Sequence, residues 1–323
     1  MCLNQGHSDG LRRTMSQITT DPASHSPVAV SRPVTLGNFG AMLLLALVWG
    51  LSIPVTKLGL ITMPPLTLTA IRFAVAIPFM MLLLIGKKPL PWKAVPAVAA
   101  LGVLGIGVGQ VTQTFGVAGT SASIGTILSA TIPLFIVLFA TIRLKQAVSV
   151  SQLVGVAAAF AGIVVVALEN AGEAGTAGTT ALGPIWMLVS AVAVAFYYVW
   201  SVELTNRYGT VVVATWSTAF GFAALVPWAG WEAYHTSFEM TGQALGAAAY
   251  LGLAVTAAGL FLWLRILRDV PASIAASVQY LQPVFGIAAS AIMFGDKIGL
   301  QFMAGVALIL AGLAMAMRAR NST

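Results

Sequence analysis

The sequence predicts an all-α integral membrane protein: ten transmembrane helices arranged as two inverted five-helix repeats, with both termini cytoplasmic. Three observations carry this expectation. The 323 residues are 59% hydrophobic and 8% charged, with a mean hydropathy of +0.93. An ordinary soluble domain is about a quarter charged, so most of this chain must have lipid as its solvent. Ten apolar runs of about 20 residues, the length that spans a bilayer, follow one another along the chain. Finally, a shift of 150 residues lays the end of one half over the end of the other.

The runs are 37–58, 65–85, 94–116, 121–142, 149–168, 182–205, 211–228, 243–267, 272–294 and 299–317. They are long and uniformly apolar rather than alternating, which excludes a closed β-barrel. Residues 1–36 are polar and rich in Ser, Thr and Pro, lack the apolar core of a signal peptide, and read as a disordered cytoplasmic tail. Residues 37–168 make the first repeat, 169–181 an extracytoplasmic linker, 182–318 the second repeat and 319–323 a short cytoplasmic tail.

Orientation follows from the sixteen basic residues. Arg12, Arg13, Arg32, Lys87, Lys88, Lys93, Arg143, Lys145, Arg207, Arg265, Arg268, Arg318 and Arg320 fall on one side of the ten spans. Lys57 and Lys297 fall on the other, and Arg72 lies about seven residues into the second span. The rich side is cytoplasmic by the positive-inside rule. Glu169, Glu173, Glu232, Glu239 and Asp296 lie on the poor side. The net charge of +7 is therefore a topology signal, not a nucleic-acid surface. Cys2 is the single cysteine, His7 and His25 lie in the tail and His235 in a loop, so no metal centre or cofactor is expected.

Under the 150-residue shift, "ASIGTILSATIPLFIVLFATI" (122–142) lies over "ASIAASVQYLQPVFGIAASAI" (272–292), and "GVAAAFAG" (155–162) over "GVALILAG" (305–312). Pro133 meets Pro283, Gly155 meets Gly305 and Gly162 meets Gly312. Five spans per repeat is an odd number, so the second copy enters the membrane inverted. That plan lets a carrier expose one midplane site to either side. The proline pair reads as a fixed kink or as a hinge. The glycines, seven residues apart, line a seam that serves packing within the chain or a homodimer.

With "WGLSIPVTK" in the first span, "IRFAVA" in the second and "FGDKIGLQFMAGVALILAGL" near the end, the chain resembles the EamA-type members of the drug/metabolite transporter superfamily. It resembles in particular their bacterial amino-acid exporters, including those handling aromatic amino acids. The resemblance implies the five-plus-five fold, a bacterial inner-membrane location and export of small metabolites. Family members often carry an acid in the last hairpin of each half. Asp296 keeps it in the second copy, whereas Gln146 replaces it in the first.

Polar groups in hydrocarbon need partners or a cavity. Gln110, Gln113 and Thr114 share one face of the third span, and Tyr197, Trp200 and Ser201 one face of the sixth. Trp49 in the first span, Trp263 in the eighth, and Gln279, Tyr280 and Gln282 beside Pro283 complete the candidate substrate-binding set. The alternative for the glutamines is interhelical glue. Trp92, Trp228 and Trp231 read as interfacial anchors. Lys57 and Arg72 either attract a carboxylate or snorkel to headgroups, and Glu203 and Arg207 are spaced for an i, i+4 ion pair. Against the first copy's Ser129, Ala130 and Ile132, the second has Gln279, Tyr280 and Gln282, so the asymmetric amides and phenol are where a substrate is expected.

These features point to a non-enzymatic secondary carrier for a small, partly apolar solute such as an amino acid, moving by alternating access through a midplane cavity. Its partners are that solute and the bilayer. Cationic drugs or a facilitative, channel-like path are the alternatives. No phosphate loop, "HExxH" or intramembrane acid pair supports an enzyme, and no charged ring supports a channel.

Overall fold

A computed structural model describes residues 36–144, 150–172, 179–269 and 281–318. Among the described residues every regular element is helical. Seven stretches are long and apolar enough to cross a membrane: Leu36–Gly59, Pro65–Leu82, Trp92–Ala118, Ala122–Arg143, Gly183–Tyr208, Thr210–His235 and Gly242–Ile266. Shorter apolar stretches occupy Leu153–Val166, Leu281–Phe294 and Leu300–Gly312.

Several of these stretches are discontinuous. The first breaks at Leu51 into α1 (Leu36–Gly50) and α2 (Ser52–Gly59). Pro54 has no N–H to offer the Gly50 carbonyl, and the ladder lapses there. After α3 (Pro65–Leu82), the third stretch passes from α4 (Val95–Leu101) through π-helical turns at Gly102–Gly107 into α5 (Val108–Ala118). The fourth breaks into α6 (Ala122–Ser129) and α7 (Ile132–Leu144). Pro133 cannot bond the Ser129 carbonyl, and tight turns replace the ladder, with Thr131 N–H on Leu128 at 3.1 Å and Leu134 N–H on Thr131 at 2.9 Å. The proline thus marks an interruption, more than a bend.

Helices α8 (Val150–Gly172), α9 (Gly183–Tyr208) and α10 (Thr210–His235) follow. α10 runs seven residues past the expected end at 228, because Ala229, Trp231 and Tyr234 continue its apolar character. His235 therefore closes a helix rather than lying in a loop, its ring 4.8 Å from that of Trp231. Gly242–Ile266, the eighth stretch when the shorter ones are counted in chain order, repeats the form of the third: α11 (Gly242–Ala249), π-helical turns at Tyr250–Ala258, then α12 (Gly259–Asp269). α13 (Leu281–Phe294) carries Pro283 and Gln282, and α14 (Leu300–Arg318) ends the described chain. Gln279 and Tyr280 lie outside the described residues.

Helices meet where glycine lets backbones touch, the usual device where lipid removes any hydrophobic drive between helices. α8 and α14 pack antiparallel along the glycine seam. A Cβ on Gly162 would stand 2.7 Å from the Gly305 carbonyl oxygen and 2.8 Å from Ile309, and one on Gly312 would collide with the Gly155 carbonyl. The seam is thus filled within the chain. Likewise a Cβ on Gly50 would stand 2.7 Å from the Gln282 carbonyl oxygen.

Helix ends are closed by charged side chains. Glu232 of α10, 9% exposed, accepts from Thr67 N–H at 2.7 Å, Thr67 Oγ1 at 2.9 Å and Leu66 N–H at 3.3 Å, capping the start of α3. Asp296 accepts from Ser123 N–H at 2.8 Å and caps α6. Lys57 donates to the carbonyls of Val117 (3.1 Å), Ala118 (3.2 Å) and Thr120 (2.7 Å), closing the C-terminus of α5. Each places a charge where the helix dipole favours it. Glu203 pairs with Arg143 at 3.4 Å instead of with Arg207, whose guanidinium lies over the Tyr208 ring.

Two substitutions test this packing in purified protein. Gly162→Val should overpack the seam and destabilise the fold by about 1–3 kcal/mol, read as a lower melting temperature. Lys57→Met should cost about 1.5–3 kcal/mol by stranding three carbonyls. An unchanged melting temperature in either case contradicts the corresponding contact.

Candidate substrate site

The second stretch places a charge deep in the bundle. Arg72 is the eighth residue of α3, about 10 Å along a helix of about 27 Å. It is 8% exposed. Instead of snorkelling, its guanidinium turns inward between the third and eighth stretches. Nη1 donates to Gln110 Oε1 at 2.7 Å, while Nε and Nη2 both donate to Thr256 Oγ1 at 3.2 Å. A charge held at this depth costs about 2.5–3.5 kcal/mol even on lenient scales, and both of its partners are neutral.

Local structure explains the geometry. Gly252 lies in the π-helical turns, where a Cβ would stand 2.6 Å from the Arg72 carbonyl oxygen. Its absence brings α3 against that segment. The widened turns rotate Thr256 towards Arg72, and the Thr256 hydroxyl donates back to Leu251 O at 2.8 Å, five residues earlier. Such turns are frequent at functional sites. On the third stretch, Thr114 Oγ1 bonds Thr69 Oγ1 of α3 at 2.9 Å and fixes the register that presents Gln110 to Arg72.

Around this centre lie several of the sequence candidates. Trp49 Nε1 donates to Val255 O at 3.0 Å, next to Thr256, and its ring stands 5.9 Å from that of Trp263. Gln113, one turn beyond Gln110, is half-buried, and among the described residues nothing bonds its amide. Tyr197 packs on the π-helical turns of the third stretch, where a Cβ on Gly105 would stand 2.5 Å from its own Cβ.

Others lie elsewhere. Trp200 belongs to an aromatic cluster with Phe139 (5.4 Å) and Phe196 (4.8 Å), with the Arg143 guanidinium 5.3 Å over its ring. Its faces are thus occupied by the protein. Lys57 is likewise committed to backbone carbonyls, so its ammonium is engaged at a helix end and Arg72 remains as the central cation. Trp92, Trp228 and Trp231 are exposed.

The sequence reading missed Thr256, a lone threonine in "YLGLAVTAAG" (250–259) with no polar neighbour on its face. The available signal was the repeat itself, since the shift of 150 lays Gly102–Gly107 over 252–257.

The chain matches the EamA-like transporter family over residues 36–168 and again over 181–318. It is 25% identical over 272 residues to an uncharacterized transporter of Archaeoglobus fulgidus, covering 84% of this chain and 95% of that one. It is 26% identical over 255 residues to the uncharacterized inner membrane transporter YedA of Escherichia coli, covering 77% and 80%. A solved crystal structure superposes with a TM-score of 0.61 at 21% identity, over 87% of this chain and 97% of that chain, a likeness of fold. Carrying that family's domain in both halves, this multi-pass membrane protein belongs to the EamA-like transporter family.

Proposed function

We propose that the protein is a secondary transporter that exports small metabolites, amino acids foremost, by alternating access between two inverted five-helix repeats. On this reading the three shorter apolar helices complete a set of ten spans with both termini cytoplasmic. One observation carries the proposal. Among the described residues each family match contains one π-helical segment, and each segment packs against a helix of the other match: Gly102–Gly107 on α10, and Tyr250–Ala258 on α3. The glycine seam obeys the same exchange, because the 150-residue shift turns the Gly155–Gly312 contact into the Gly305–Gly162 contact.

Inverted repeats that grip one another through equivalent segments can trade conformations, and the trade opens the midplane to one side and then the other. The breaks at Leu51 and before Pro133 supply the places where half-helices would swing, with Pro133 and Pro283 as hinges. Gln110, Trp49, Gln113 and Trp263 would line the path from the Arg72 side, Tyr197 from the other. Gln279, Tyr280 and Gln282 would contribute the asymmetric wall. Cationic cargo gains little support, because Glu203, Glu232 and Asp296 are committed to partners away from the centre.

Reconstituted in proteoliposomes, the protein should move labelled amino acids with saturation, and faster when unlabelled solute waits on the opposite side. Linear, non-saturating flux without counterflow would falsify the carrier mechanism. Orientation is tested by impermeant thiol labelling in a Cys2→Ser background. Met240→Cys should label in intact cells and Lys88→Cys only after permeabilisation; the reverse pattern overturns the topology.

A further inference from the structure

We infer that Arg72 is the anchor for a carboxylate on the transported solute, with Gln110 and Thr256 keeping its place when the site is empty. This rests on the transporter reading and names the chemical class of the cargo.

The first argument is charge. Residues 22–168 contain no Asp or Glu, and neither does 270–280. Among the described side chains, Glu203 is paired with Arg143, Glu232 and Asp296 cap helices, and Glu239 is exposed. Asp269 ends α12, about 20 Å along the helix from Thr256. Asp9 and Asp21 precede the described residues, Glu169 lies in the last turn of α8, and Glu173 lies outside the described residues. Among the described residues, Arg72 therefore meets dipoles but no counter-charge. Buried cations are stable when paired, and an unpaired one invites an external anion.

The second argument is geometry. Nε and Nη2 form the edge of a guanidinium that takes a carboxylate bidentately, one oxygen per N–H. Here one hydroxyl oxygen serves both donors, at 3.2 Å each, longer than charge-assisted bonds usually run. A carboxylate would replace this shared contact with two short ones. One cation also balances one carboxylate, whereas a phosphate dianion would leave excess negative charge in hydrocarbon. Lys57 offers no second cation, since three carbonyls hold it. The paired rings of Trp49 and Trp263 adjoin Val255 and Thr256, placing apolar surface beside the anchor for the solute's side chain.

The test uses the full chain in proteoliposomes and a panel pairing phenylalanine, leucine, threonine and lysine with their amides. Wild type should transport the acids at least about tenfold better than the amides, a difference of about 1.4 kcal/mol. Gln110→Glu is the decisive variant, because it places a carboxylate within the chain 2.7 Å from Nη1. It should fold, melt higher than wild type, and show half-saturation for the acids raised at least about tenfold. Arg72→Lys keeps the charge without the fork and should raise half-saturation several-fold while the maximal rate changes less. If wild type moves acids and amides equally, or if Gln110→Glu moves the acids with unchanged half-saturation, the anchor is wrong and the transporter reading stands. If no panel member moves saturably, both fall.

Discussion

Backbone against backbone, at sites where glycine removes the intervening side chain, is the contact that fixes everything else in this molecule. In water, helices associate because apolar surface escapes the solvent; in lipid that drive is missing, and close van der Waals approach takes its place. Gly252 on the Arg72 carbonyl, Gly102 on Ser217, Gly162 on Gly305 and Gly50 on Gln282 each join an element of one half to an element of the other. Because α3 comes close enough at Gly252, a guanidinium can reach Thr256. Because the third stretch is held to α3 through Thr114 and Thr69, Gln110 meets the same guanidinium. The central polar cluster is a consequence of the seams.

The distribution of charge follows a second rule. Among the described residues, Glu232, Asp296 and Lys57 reach into the bundle at helix ends, where unsatisfied N–H or C=O groups supply partners and the dipole supplies a favourable field. Polar satisfaction is otherwise nearly complete: among the described residues, Ser123 Oγ is the buried side-chain atom without a partner. Against that background, a cation held away from any helix end by neutral side chains alone stands out as the exception, and exceptions of that kind are where membrane proteins carry function.

Much of the architecture was legible because lipid imposes long apolar runs and because glycine and proline leave traces. The spans, the glycine seam and the interruption near Pro133 all follow from residue types with restricted backbone behaviour. The partners of Arg72 and Lys57 were not legible. Both side chains are long, and where a long side chain ends depends on which helix stands beside it. Thr256 contributes one hydroxyl in an apolar run and leaves no periodic signal. The π-helical turns were hinted at by "GVLGIGVG" (102–109), but "YLGLAVTAA" (250–258) has only one glycine, so composition alone does not reveal the second. Glu203 chose Arg143 over the sequence-local Arg207 because α7 and α9 lie side by side.

The origin of the caps has a consequence for how the chain is made. The first half has no acids of its own between residues 22 and 168, yet two of its helices, α3 and α6, begin on N–H groups that carboxylates satisfy. Those carboxylates, Glu232 and Asp296, come from the second half and emerge from the ribosome more than 150 residues after the helix starts they serve. During synthesis the first half therefore stands in the membrane with those helix starts waiting, and it is completed from behind by its own later twin. Two genes each encoding one half would have to meet before the first half was finished. A single chain guarantees that meeting.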